Sequence, residues 1–186
     1  MLKSLATTLH AHDFRIVELE FRVGIHTKTT GFHANIPKNV WTAAKDKLGA
    51  AEEVTTTDRY VSSRQGESSR HVQTGTCSYF EHKKKIANDV TLTQGRFAIR
   101  TSLALESKED GNPPNSFVLQ RKKRRTSFMN GPWRIDFTRV ETIPIKDDIE
   151  ETYELEVELA DMGYLFEREL QIVLDEGIML AQKLVS

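Results

Sequence analysis

The chain has 186 residues, enough for one domain with a real core and short for two ordinary ones. Its 26 basic and 27 acidic residues leave a net charge of −1, which excludes the global basic field of a general nucleic-acid binder; its single cysteine, Cys77, excludes an intrachain disulfide and a cysteine-rich zinc site. No run of about 18 apolar residues is present, so no membrane span is expected, and the start, MLKSLATTLHAHDF, lacks the apolar block of a signal peptide, which points to an intracellular protein.

Leu2, Leu5, Ala6 and Leu9 recur at helical spacing and predict a short helix over 2–11. A strand over 14–23 follows. Within its segment VELEFRVG, Val17, Leu19, Phe21 and Val23 point one way, and Glu18, Glu20 and Arg22 point the other. Pro37 suits a first helical turn, and Val40, Trp41, Ala44 and Leu48 make one face of a helix predicted over 38–50. Strands are then expected near 56–62, 69–75, 78–87, 96–106, 116–128 and 132–142. Gln65-Gly66-Glu67 and Met129-Asn130-Gly131-Pro132 read as hairpin turns, 108–114 as an exposed loop, and the polar stretch 62–69 as a hairpin tip or a tunnel-mouth loop. In QRKKRRTSF, alternation puts Arg121, Lys123 and Arg125 on one face. The strand predicted over 152–160, YELEVELA, aligns Glu154, Glu156 and Glu158 in the same way. Leu165, Leu170, Val173, Leu174, Ile178, Ala181 and Leu184 trace the apolar face of a C-terminal helix from about 161 to 184, expected to pack on the apolar side of the sheet.

Eight strands at regular intervals predict a mainly β (α+β) fold, either a sandwich or a closed antiparallel barrel. Any antiparallel sheet with one wet face alternates apolar and charged residues. Three carboxylates on one strand face with no cation among them, however, repel one another and do little for solubility that mixed charge would not. A barrel with its helices outside would gather Glu18, Glu20, Arg121, Lys123, Arg125, Glu154, Glu156 and Glu158 in its lumen. Charged interiors persist only where the charges are paired or bind something. The acids would suit a divalent cation, which takes hard oxygen ligands, and the bases would suit phosphate.

Four segments, in order, resemble the triphosphate tunnel metalloenzymes, and among them the metal-dependent RNA 5'-triphosphatases that begin mRNA capping in fungi, protozoa and certain large DNA viruses. VELEFRVG and YELEVEL are similar to that family's first and closing glutamate strands. QRKKRRTSF is similar to its basic strand, and GPWRIDFTRVE, with Arg134, Asp136 and Thr138 on one face, to the strand after it. HKKKI and FAIRTSLALE are weaker echoes. The likeness runs from residue 14 to about 160, with Arg22 standing where the wider superfamily usually has lysine. A guanidinium there keeps the charge and offers phosphate a planar fork.

The resemblance implies an eight-stranded triphosphate tunnel with flanking helices, filling the chain as a single domain over 1–186. It implies that Glu18, Glu20 and Glu158 hold Mg2+ or Mn2+, with Glu154 and Glu156 in support. Arg121, Lys123 and Arg125, helped by Arg70, Lys85 and Arg134, would cradle the triphosphate. Glu106, Arg125, Asp136 and Glu156 would serve catalysis, Glu106 or Asp136 by positioning the attacking water. The implied reaction removes the γ-phosphate of 5'-triphosphate RNA and leaves a diphosphate end, with free nucleoside triphosphates as additional substrates. It also implies an mRNA guanylyltransferase partner on another chain, and a place in the nucleus or at a viral replication site. The alternatives are a tunnel enzyme acting on inorganic triphosphate or another small triphosphate, and a non-catalytic polyphosphate-binding module. Outside the motifs, Lys83, Lys84 and Lys85 read as a solvated trio from which Lys85 alone matches the family. Trp41 and Trp133 read as packing residues, and His10, His12, His26, His33, His71 and His82 as plain surface histidines.

Overall fold

A strand whose two faces carry different chemistry needs two different surroundings, and this chain supplies them by closing its sheet. The computed structural model describes residues 17–64, 67–75, 77–144 and 150–186. Its strands are β1 (Val17–Thr27), β2 (Gly31–His33), β3 (Glu53–Arg64), β4 (Glu67–Thr74), β5 (Cys77–Lys85), β6 (Val90–Gln94), β7 (Phe97–Asp110), β8 (Leu119–Asn130), β9 (Trp133–Pro144) and β10 (Glu150–Leu159). Its helices are α1 (Lys38–Asp46), α2 (Tyr164–Glu167) and α3 (Leu170–Leu184).

The sheet order is β2-β1-β10-β9-β8-β3-β4-β5-β7-β6, and β1 also pairs with β7. That pairing, Val17 opposite Leu105 through Gly24 opposite Ala98, closes an eight-stranded antiparallel barrel and leaves β2 and β6 as extra strands on β1 and β7. The barrel alternative is therefore the one adopted. β2 and β6 were not expected, because three and five residues are too short to show a period.

Other boundaries moved for local reasons. The predicted loop at 108–114 starts later, because β7 continues to Asp110 in register with Tyr79 of β5. The β8–β9 turn falls where Asn130-Gly131 predicted it, with Gly131 at φ 59°, a left-handed conformation that favours glycine. Pro37 caps α1 rather than sitting inside it. The single C-terminal helix expected over 161–184 is two helices, broken by an extended Arg168 at φ −136°, ψ 151°. Leu165 and Leu170 lie five residues apart and would lean toward different faces of one continuous helix; the break lets both pack on the core. The helix expected over 2–11, with His10 and His12, lies outside the described residues, as do Gln65 and Gly66 of the β3–β4 turn.

The core lies outside the barrel. Leu19, Phe21, Ile135, Phe137, Leu155 and Val157, from the outward faces of β1, β9 and β10, are covered by Val173, Leu174, Ala181 and Leu184 of α3 and by Ala44 of α1. Trp133 packs edge-on to Phe21 at 5.7 Å, and Trp41 stands between Phe137 and Tyr153 while its Nε1 donates to the carbonyl of Glu154 at 3.0 Å. Both tryptophans are packing residues, as read. His71 is not a surface residue: it is fully buried beneath the Gly111 carbonyl, 3.3 Å from Nε2, and against Phe80.

Gly177 lets α3 close on this core, since a Cβ there would lie 2.4 Å from Cε2 of the fully buried Phe21. Gly177→Ala gains about 1 kcal/mol of helix propensity but overpacks a site whose ring has nowhere to go, at a cost of about 1–3 kcal/mol. We expect a net fall in Tm, and a rise would show that Phe21 can give way.

Candidate active site

The barrel's inward faces enclose a cavity of about 990 Å3, lined by Glu18, Glu20 and Arg22 of β1, Glu156 and Glu158 of β10, Lys123 and Arg125 of β8 and Arg134 of β9. Strand alternation put these residues on common faces, and the register sets them opposite one another: Glu20 faces Glu158, Arg22 faces Glu156, and Asp136 and Arg134 of β9 face Glu156 and Glu158. Arg70, Lys85 and Glu106 also line the cavity. Asp136 stands behind it at 1% exposure, accepting from Ser127 at 2.6 Å and from Arg134 at 3.0 Å, with Arg125 3.5 Å away. Arg121 turns to Glu154.

Two cation networks organise the wall. Buried Asp58 of β3 holds Lys123 at 2.6 Å and Arg70 at 3.2 Å and accepts from Thr56 at 3.1 Å; Arg70 also engages Glu81 and donates to the Tyr60 hydroxyl at 3.3 Å. On the facing wall Lys83 reaches Glu18 at 2.6 Å and Glu20 at 3.2 Å, while Arg22 joins Glu20 to Glu156, the latter at 2.6 Å. Asp58, Tyr60, Glu81, Lys83 and Arg100 were missed as site residues. Lys83 carried a signal, because alternation through HKKK places Lys83 and Lys85 on one face and Lys84 on the other. Lys83 is the interior member; Lys85 sits at a tunnel end, half exposed and bonded to Asp89 at 2.5 Å.

The electrostatics separate the carboxylates. Burial alone would raise Glu20, but Arg22 and Lys83 outweigh it and hold its carboxyl well below the usual range. Burial pushes Glu18 up to about 8, with the charges of Glu20 and Glu106 adding to it against Lys83. Burial likewise pushes Glu158 up to about 7; Arg134 opposes, while Asp136 and Glu20 add to the rise. Tyr60 goes the other way: burial would raise its phenol, yet Lys123 and Arg70 bring it down to about 8.

These groups fit a divalent cation. Like charges directly opposite on neighbouring strands are destabilising, and Glu20 faces Glu158 across β1 and β10. Glu18 Oε2 is buried without a hydrogen bond of good geometry, and Glu18 and Glu158 hold their protons unusually well. Among the described residues no three acidic, histidine or cysteine side chains converge as a ready metal cluster. Lys83 and Arg134 instead hold the carboxylates, occupying the place of positive charge.

Comparison with known proteins finds relatives that span most of the chain. A family model described as mRNA capping enzyme, beta chain, matches residues 62–173. The 5'RNA triphosphatase of Paramecium bursaria Chlorella virus 1 is 53% identical over 185 residues, covering 98% of this chain and 95% of that protein. The structure of S. pombe Pct1 RNA triphosphatase in complex with the Spt5 CTD superposes with a TM-score of 0.74 at 16% identity, over 99% of this chain and 92% of that one. A second Pct1 structure gives 0.70 at 18% identity, over 94% and 82%. Those two likenesses show the fold, a triphosphate tunnel. With more than half its length matched by the family and a near full-length relative at 53% identity, the chain belongs to the beta-chain family of mRNA capping enzymes, the mRNA triphosphatases.

Proposed function

We propose that this protein hydrolyses the γ-phosphate of 5'-triphosphate RNA, releasing inorganic phosphate and leaving a 5'-diphosphate end, the first step of mRNA capping. The observation that carries this reading is one lumen holding a row of carboxylates on β1 and β10 together with cations on β4, β8 and β9. The 53% identical viral RNA triphosphatase supports it.

Phosphoryl transfer to water asks chiefly for positioning and for neutralisation of the equatorial oxygens. Arg70, Lys123 and Arg125 bind those oxygens, and Asp58 and Asp136 hold these side chains in place before substrate arrives. Glu18, Glu20 and Glu158 would hold Mg2+ or Mn2+, with Glu154 and Glu156 in support through Arg121 and Arg22. When bound, the metal supplies Lewis-acid polarisation of a phosphate oxygen. Glu106, at the cavity edge and close enough to add to the rise in Glu18, positions the attacking water; Asp136, enclosed by Ser127, Arg134 and Arg125, positions cations instead. Arg134 neutralises the chain nearer the opening, and Lys85 gives weak help from a tunnel end. The barrel and its helices act as one domain. The guanylyltransferase that uses the diphosphate end is on another chain, and the two meet in the nucleus or at a viral replication site. No helix among the described residues is long and apolar enough to cross a membrane.

The test is phosphate release from RNA with a γ-labelled 5'-triphosphate, run with Mg2+, Mn2+ or chelator, against ATP and inorganic triphosphate. Metal-dependent release from RNA, with a diphosphate product, is the expected result, together with slower release from ATP. Release from inorganic triphosphate alone would overturn the RNA assignment, and binding without release would favour a polyphosphate-binding module.

A further inference from the structure

The two ends of the tunnel differ. Around the barrel, β1, β3, β5 and β9 begin, and β4, β7, β8 and β10 finish, at the same end, because each strand runs antiparallel to its neighbours. At the opposite end the inward cations are already occupied: Arg121 by Glu154, and Lys85 and Arg100 by Asp89, at 2.5 and 3.7 Å, with Arg100 also seated over Phe32 at 4.6 Å. At the first end the wall carries apolar and aromatic side chains among its charges. Val54 of β3, Val72 of β4 and Tyr79 of β5 line the cavity there, with Val72 and Tyr79 in direct register and Val54 47% exposed. Asp58 is in register with Val72, Arg70 and Glu81 lie two residues inward of Val72 and Tyr79, and Arg125 lies in register with Val54.

A half-buried tyrosine near the start of β5, in the wall of a charged tunnel, is not explained by binding polyphosphate, which needs no apolar surface. It is explained by a substrate that is anionic at one end and flat and apolar at the other. We propose that Tyr79 is the platform on which the first nucleobase of the 5'-triphosphate substrate stacks. The Lys108 ammonium stands 5.4 Å from the Tyr79 ring centre, so the base takes the ring's other face. With the base at Tyr79, the γ-phosphate lies among Arg70, Lys123 and Arg125, the cations already assigned to it. This deepens the proposed function and rests on it, and it assigns the site a nucleoside preference over bare triphosphate.

The experiment compares ATP with ribose 5'-triphosphate, which lacks only the base, for wild type, Tyr79→Leu and Tyr79→Phe. Stacking on an aromatic ring is worth roughly a factor of ten in binding. Tyr79→Leu should therefore raise KM for ATP about tenfold more than KM for ribose 5'-triphosphate, and KM for triphosphate RNA should follow ATP. Tyr79→Phe, which keeps the ring, should restore the wild-type ratio. An unchanged ratio in Tyr79→Leu, with RNA still hydrolysed by wild type, overturns the platform alone. Failure of Tyr79→Phe to restore the ratio overturns it too, since the hydroxyl rather than the ring would then be at work. Wild-type hydrolysis of inorganic triphosphate but not RNA or ATP would overturn the proposed function and the platform together.

Discussion

Glu20→Ala and Glu158→Ala are each expected to lower metal-dependent phosphate release from triphosphate RNA by about a thousandfold or more, with the barrel intact. The fold should survive because neither change strands a buried cation. Without Glu20, Arg22 keeps Glu156 at 2.6 Å and Lys83 keeps Glu18 at 2.6 Å; without Glu158, Arg134 keeps Asp136 at 3.0 Å. Glu158 is also held near 7 by burial, so its charged form is disfavoured in the folded protein. A carboxyl whose folded pKa lies above its unfolded one reduces stability as pH rises through that interval, and above about pH 7 its loss should leave Tm unchanged or higher. A second readout separates metal binding from chemistry. Saturating Mn2+ should raise the wild-type Tm by binding the native state and should leave both variants unmoved. Full activity in either variant, or an undiminished Mn2+ shift in both, would overturn the assignment of these carboxylates to metal.

Lys123→Met should cost both activity and stability, for separable reasons. Lys123 is 5% exposed and paired at 2.6 Å with Asp58, itself 1% exposed. Removing one partner of a buried pair costs about 3–5 kcal/mol, reduced here because Arg70 remains 3.2 Å from the same carboxylate. Activity should fall by about a hundredfold or more, since a cation aimed at developing charge is lost. Adding Asp58→Asn removes the unpaired charge, so the double variant should recover most of the lost Tm and none of the lost turnover. Recovery of turnover in the double variant would mean that Lys123 serves only to neutralise Asp58.

Much of the site was legible because strand alternation is a property of the backbone itself. Glu18 with Glu20, Arg121 with Lys123 and Arg125, and Glu154 with Glu156 and Glu158 share faces wherever those strands lie. The residues that went unread lacked a local pattern or had a misleading one. Asp58 and Tyr60 are isolated in a stretch of threonines and serines, and Lys83 was hidden in a basic trio whose solvated reading fits Lys84 alone among the outward positions. Arg121 shows the limit of alternation: it shares a face with Lys123 and Arg125, yet turns to Glu154 rather than to the cavity.

Sequence by itself determined which side chains travel together on each strand, where Asn130-Gly131 turns the chain, and, through four ordered motifs, the family. Only the tertiary structure decided that the charged faces point inward and the apolar core lies outside, that Glu20 meets Glu158, that Lys83 rather than Lys85 bridges the glutamates, and that the C-terminal helix breaks at Arg168. The reason is closure. Those facts depend on β1 meeting both β10 and β7, strands far away in the chain, and on what the lumen then forces into contact, and neither leaves a period in the local order of residues.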